Sequence, residues 1–238
     1  MSGWKAKRFW KDVSVARNEG GWHVLLDSRP VRTPAKAAMD LPTEAMALAV
    51  AEEWAAQEGD IDALSMPVTR SANSAIDRVA PQHDEVAGML AAYAETDLLC
   101  HRAESPEALA ERQAKGWDPL LDWAAEAHGA RLLATAGILP VAQPAESLER
   151  LALGLRALDP FRLTALHDLV TLSGSLILGL AVAGGRIDVE AGWRLSRIDE
   201  DWQIEQWGED EEAAEAAAYK FEQFRHADRF WRLSAVSS

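Results

Sequence analysis

A pattern of short β-branched runs occupies the first 35 residues, and from Pro42 onward helix punctuation dominates the chain. That switch fixes the class of fold before any motif is considered. "DVSVAR", "GWHVLLD" and "RPVRTP" alternate partially, and "NEGG" and "DSR" between them supply turn chemistry. They predict a small antiparallel meander whose best hairpin signal is "NEGG". Next, "LPTEAMALAVAEEWAAQEG" opens with Pro and Thr, has an acid in its first turn and closes on Gly. Met46, Val50 and Trp54 lie on one stripe of that helix.

Further helices are expected to open at Pro67 and Pro81. "SPEALAERQAKGWDPLLDWAAEAHG" predicts two more, broken near Trp117 and Pro119, with Ser105 as N-cap. "ARLLATAGILPVAQP" reads as a loop with a short strand at Leu132 to Thr135. Helices near 145–157, 160–183, 188–207 and 209–231 complete the chain. The expected fold class is α+β: a small antiparallel β-containing N-terminal domain with helices (1–95), then a mostly α-helical domain (96–238). "ILPVAQP" is a second candidate hinge.

The 238 residues include 24 basic and 38 acidic ones, net −14, which argues against nucleic acid or an anionic membrane as partner of the whole molecule. Residues 1–36 run against the trend, with eight bases and three acids. Cys100 is the single cysteine, so no intrachain disulfide or thiolate cluster can form, which suits a reducing compartment. The start, "MSGWKAKRFW", has no apolar signal core. Leu169 to Gly185, the most apolar window, falls short of the roughly 20 residues a spanning helix needs and reads as buried core. The expectation is a bacterial cytoplasmic protein.

Signs of catalysis are sparse. No two of the six histidines stand at i, i+3 or i+4, and there is no nucleophile elbow, Walker loop or dinucleotide fingerprint. The one enzymatic candidate is "ETDLLCHR", where Asp97, Cys100 and His101 could serve a small hydrolase. Against it, Cys100 and His101 are adjacent and point apart, and a lone cysteine beside Leu98 and Leu99 is more often a small buried hydrophobe.

"WRLSRIDEDWQIEQWGEDEEAAE" (193–215) sets three tryptophans in an acidic run. As one helix it carries two apolar stripes: Leu195, Ile198 and Trp202 on one face, Trp193, Ile204 and Trp207 roughly opposite. Either the helix is sandwiched inside the domain, or one stripe is left for a partner. The acids at 209–215 fall near the start of the next helix, where its dipole favours them.

Four blocks, "RFWKDVSV...GGWHVLLDSRPVRTP", "LPTEAMALAVAEEWAAQ", "ETDLLCHRAESPEALAERQAKGWDPLLDWA" and "LSRIDEDWQIEQWG", together resemble the assembly chaperones of the ATP synthase α subunit, known from mitochondria and α-proteobacteria. The resemblance implies a non-enzymatic chaperone without cofactor or metal. It would bind the free α subunit of the F1-ATPase head, shield its subunit interface and promote assembly, and would be monomeric when free. It also implies the two-part fold read above, and the chain opens almost at the first block, as expected of a bacterial member without an import signal. The residues expected to meet the client are Trp202, Glu205, Trp207, Glu211 and Glu212, together with Asp199, Glu200 and Trp54. For Trp54, which shares a stripe with Met46 and Val50, core packing is the favoured role over contact. One departure stands after Trp207-Gly208, where the family shows an aromatic and a histidine and this chain reads "EDEEAAEAA". A general helical adaptor is the remaining alternative.

Overall fold

The computed structural model describes residues 7–137 and 141–235. Of the hinge expected at "ILPVAQP", Ile138, Leu139 and Pro140 therefore lie outside the described residues. The chain divides into two compact units. The first comprises Met1–Gln82, Pro160–Thr164 and Arg229–Ser238, and the second His83–Asp159 and Ala165–Asp228.

The first unit holds the expected meander. Strands β1 (Val13–Asn18), β2 (Gly21–Leu26) and β3 (Arg29–Pro30) pair antiparallel in sequence order, with Val15 opposite Val24 and the turn at Glu19–Gly20. Alternation puts Val24 and Leu26 on the buried face, where helix α1 (Glu44–Ala55) covers them through Met46, Ala47 and Val50. The α1 termini are satisfied by side chains. Thr43 accepts from the Met46 N–H at 3.0 Å, and the Arg8 guanidinium donates to the carbonyls of Ala55 and Gln57 at 3.0 and 2.6 Å. Helix α2 (Pro67–Ser74) opens at Pro67 as predicted, and a carboxylate from the neighbouring helix caps it. Glu53 accepts from the N–H groups of Val68 and Thr69 at 2.7 and 2.8 Å and from the Thr69 hydroxyl at 2.7 Å. The later segments Pro160–Thr164 and Arg229–Ser238 return to this unit, where Phe161 meets Phe230 with ring centres 6.4 Å apart.

The second unit is built from helices α3 (His83–Ala92), α4 (Glu107–Ala127) and α5 (Ala145–Arg156), and from most of α6 (Pro160–Ser173). Helices α7 (Leu176–Ala183), α8 (Val189–Ser196), α9 (Ile198–Trp207) and most of α10 (Glu211–Ser234) complete it. A two-residue parallel pairing of β4 (His101–Arg102) with β5 (Thr135–Ala136) is its only sheet among the described residues. The short strand expected at Leu132 to Thr135 overlaps β5 by one residue. Helix α3 begins two residues after the expected Pro81, because residues 75–82 first widen into a π turn and then tighten into a 3₁₀ turn.

Four expected boundaries differ. Helix α4 runs unbroken through Pro119. Pro119 faces solvent, where water can take the carbonyl its ring frees, while Trp117, Leu120 and Leu121 bury the other face. Ser105 does not cap this helix, since Pro106 occupies the cap position and no side chain bonds there. The expected 160–183 helix breaks at Gly174, whose φ of +72° suits glycine, and α7 restarts with Ser175 as N-cap. The expected 188–207 helix breaks at Arg197 (φ −117°, ψ 17°), without proline or glycine to announce it.

The Glu53 cap is a direct stability test. Glu53→Ala leaves three donors at the start of α2 without acceptor and is expected to cost about 1–2 kcal/mol, with Glu53→Gln losing less. Thermal unfolding of the two variants measures it, and equal midpoints for wild type and Glu53→Ala would refute the capping role.

Candidate functional site

Helix α4 supplies the frame on which α9 rests. Trp117, fully buried, donates its indole N–H to the Leu195 carbonyl at 2.8 Å, just before the Arg197 break. One turn earlier Gln113, 1% exposed, uses both ends of its amide. Its Oε1 accepts from the Ala103 N–H at 2.8 Å and its Nε2 donates to Asp199 Oδ1 at 2.6 Å. Backbones can approach this closely because residue 116 is glycine: a Cβ there would lie 2.8 Å from Leu195 Cδ2 and 3.0 Å from Ile198 Cδ1. Arg112 completes the seam from the solvent side. Its guanidinium forks onto Glu205 at 2.7 and 2.8 Å and lies 5.0 Å over the Trp202 ring.

Charges along the seam respond to these partners. The Arg112 hydrogen bonds hold the Glu205 carboxyl below the usual glutamate range, and Glu205 in turn raises the guanidinium. Burial pushes the Asp201 carboxyl up, Arg197 at 3.7 Å pulls it back, and the Glu205 charge adds to the rise.

Between the β4–α4 connection and α9 lies an open cleft of about 420 Å³. Ala103, Pro106, Leu109, Gln113, Trp202 and Trp207 are among its walls. Trp207, the last residue of α9, is 80% exposed. Glu200, Glu211 and Glu212 are also exposed, the last two in the first turn of α10, whose cap Asp210 accepts from the Ala213 N–H at 2.8 Å. Thus Trp202, Asp199 and Glu205 are held by α4, whereas Trp207, Glu200, Glu211 and Glu212 face water. Trp54 belongs to the first unit, half-buried against Trp10 with ring centres 5.2 Å apart.

The two stripes read for a single 188–207 helix do not survive the Arg197 break. Leu195, Ile198 and Trp202 do turn toward α4, as one stripe. Trp193 leaves the other stripe: it stacks on Phe221 and tilts against Phe224 of α10, both with ring centres 5.7 Å away. Arg112 and Gln113 organise the cleft, yet nothing in sequence singles them out beyond "AERQAKGW", where Gln113 and Trp117 stand one helical turn apart.

The Asp97, Cys100 and His101 set is not a thiol-activating centre. Asp97 is fully buried and accepts from the Ser175 hydroxyl (2.6 Å) and from the N–H groups of Leu99 (3.0 Å) and Ile177 (3.1 Å). It ties the 98–100 turn to the start of α7. Burial pushes the Asp97 carboxyl up while those donors pull it back. Burial first, then the Asp97 charge, pushes the Cys100 thiol up to about 12, so at pH 7 the thiolate fraction is on the order of 10⁻⁵. Among the described residues no three His, Cys, Asp or Glu side chains gather where they could hold a metal ion, and no helix is long and apolar enough to cross a membrane.

Comparison with known proteins places the chain. It matches the family described as ATP12 chaperone protein over residues 7–125. It is 26% identical over 223 residues to Protein atp12, mitochondrial, of Schizosaccharomyces pombe, an alignment covering 88% of this chain and 76% of that one. Among solved structures, Atp12 from Paracoccus denitrificans is 58% identical with a TM-score of 0.95, covering 98% of this chain and all of that one. The Atu1473 protein of Agrobacterium tumefaciens is 44% identical with a TM-score of 0.89, over 95% of this chain and 85% of that one. The class is that of an assembly chaperone. The chain belongs to the ATP12 chaperone family, whose members serve the assembly of ATP synthase.

The burial of Cys100 predicts its chemistry. In the native protein at pH 8 an alkylating reagent should leave Cys100 unmodified over a period that fully labels the denatured chain, as read by intact mass. Rapid native labelling would restore the thiol-enzyme reading.

Proposed function

We propose that this chain holds the unassembled α subunit of the F1-ATPase head and covers the surface that α later gives to β. What supports the reading is membership of the chaperone family together with Trp207, a large ring kept 80% exposed among carboxylates at the mouth of the cleft. A subunit awaiting its neighbour exposes apolar area that an obligate interface would bury. A holder needs an aromatic anchor for affinity and a charged surround for reversibility.

In this reading Trp207, Glu200, Glu211 and Glu212 touch the client. Trp202 and Asp199 touch it at the cleft wall and Glu205 beyond that wall, with Gln113 and Arg112 fixing their positions. Trp54 serves first as packing for the first unit and contributes its half-exposed edge second. The protein works in the bacterial cytoplasm as a monomer, and its holding is passive. The hydrolase alternative loses its nucleophile to the burial of Cys100. The general-adaptor alternative differs in selectivity, since an adaptor would show no preference for α.

Two measurements follow. Purified β subunit should displace this protein from α in a size-exclusion or fluorescence competition; a stable ternary complex of all three, with neither affinity changed, would sink the interface-shielding reading. Reversing two exposed charges together, Glu211→Lys with Glu212→Lys, should weaken α binding about tenfold or more, mainly at low salt, while the helix dipole at the start of α10 lowers the melting temperature by only a few degrees. Unchanged affinity would remove those acids from the contact.

A further inference from the structure

We propose that the corner between α9 and α10 is an arginine receptor. The indole face of Trp207, with the carboxylates of Glu211 and Glu212, takes a guanidinium of the bound client, while apolar side chains beside it enter the cleft against Trp202 and Leu109. The proposal rests on the reading that this face meets a client protein, and it names the chemistry by which the client is recognised.

Charge is the first argument. Positions 198–215 hold nine acids and no base. The second unit as a whole carries 11 basic and 27 acidic residues, net −16, against 13 basic and 11 acidic in the first. An occupant of an apolar cleft with such a rim is cationic at its edge and apolar at its centre.

The protein's own use of tryptophan is the second argument. Trp10, Trp22, Trp117, Trp193, Trp202 and Trp231 each have an arginine guanidinium within 5.0 to 5.7 Å of the ring centre. Trp207, at 80%, is the most exposed tryptophan among the described residues and has no such arginine there. At Trp202 the complete arrangement is present within the chain. Arg112 lies on the ring and forks onto a carboxylate, Glu205, three residues further along the same helix. Trp207 is followed, three and four residues on, by Asp210 and Glu211. Asp210 is committed to capping α10, which leaves Glu211 and Glu212 as the acceptors.

Arginine is favoured over lysine for physical reasons. Its plane stacks on an indole, its fork matches one or two carboxylates, and it is more weakly hydrated than an ammonium, so it loses less on leaving water. A second copy of this chain is a poor occupant, because it would bring the same acidic corner against this one.

The test uses the full ¹⁵N-labelled chain and reads the indole N–H signals of its ten tryptophans, with Trp207 assigned by the peak missing in Trp207→Phe. N-acetyl-arginine amide and N-acetyl-lysine amide are titrated at low salt to about 50 mM, the range expected for one cation–π contact with ion pairing. The expected result is a saturable shift of Trp207, at least about threefold stronger in affinity for arginine, and weakened in Glu211→Gln with Glu212→Gln. The other indole signals should stay in place in that variant, which shows that the fold persists. No movement of Trp207, equal response to lysine, or a response undiminished in the glutamine variant overturns the receptor. Binding of α by the wild type is measured alongside. If α is held while arginine amide leaves Trp207 unmoved, the receptor fails and the chaperone reading stands. If arginine amide is bound and α is not, the receptor stands and the choice of client fails.

Discussion

The side-chain amide of Gln113 is sealed from water with both of its ends occupied, and the geometry of the cleft depends on it. A buried amide with an unsatisfied end costs on the order of 1–3 kcal/mol, so the Ala103 backbone on one side and Asp199 on the other are constrained together. The constraint passes along α4. Gln113 and Trp117 face the same way, one turn apart; Gln113 holds the start of α9 at Asp199 and Trp117 the end of α8 at Leu195, each by one polar contact. Because the break at Arg197 lies between those anchors, α9 leaves α8 in a direction that α4 dictates. The far end of α9 is then free to project Trp207.

Acidic excess is an ordinary solubility device, but here it is concentrated. The first turn of α9 contains Asp199, Glu200 and Asp201, and that of α10 contains Glu211 and Glu212. Both positions are favoured by the helix dipole, so part of the charge is stabilised where it sits. Arg112 neutralises only the middle of the run, at Glu205, and is itself brought in from another helix. The acids are therefore unequal. Those next to α4 are structural partners, and those at the α9–α10 corner keep their charge toward solvent.

The sequence made the two-part organisation and most of the helix starts legible, because these are local signals. Pro67 opens a helix because its missing N–H costs nothing at the first position, and "NEGG" between two alternating runs leaves few options but a hairpin. Boundaries set by tertiary structure were not legible. Pro119 reads as a breaker until Trp117 is known to be buried, and Arg197 carries no breaking signal at all. The candidate site follows the same division. Trp202, Trp207 and the acids stand out as residue types in an unusual mixture. Their separation into held and free groups depends on Arg112 and Gln113, 86 to 93 residues away in the chain.

An exposed tryptophan is a hazard for a free protein, since a large apolar ring in water invites self-association. The neighbours of Trp207 answer that hazard without covering the ring. Two copies approaching through this corner would bring Glu200, Glu211 and Glu212 of each against the other, and like-charge juxtaposition costs several kcal/mol at an interface. A partner carrying positive charge meets the opposite sign and is steered inward over a distance near the Debye length, about 8 Å at physiological salt. In the proposed function, the same residues that oppose one association favour another. That selection is what a holding protein requires: affinity for an incomplete subunit, indifference to itself, and a grip weak enough, being partly electrostatic and solvent-exposed, for a better-matched neighbour to replace it.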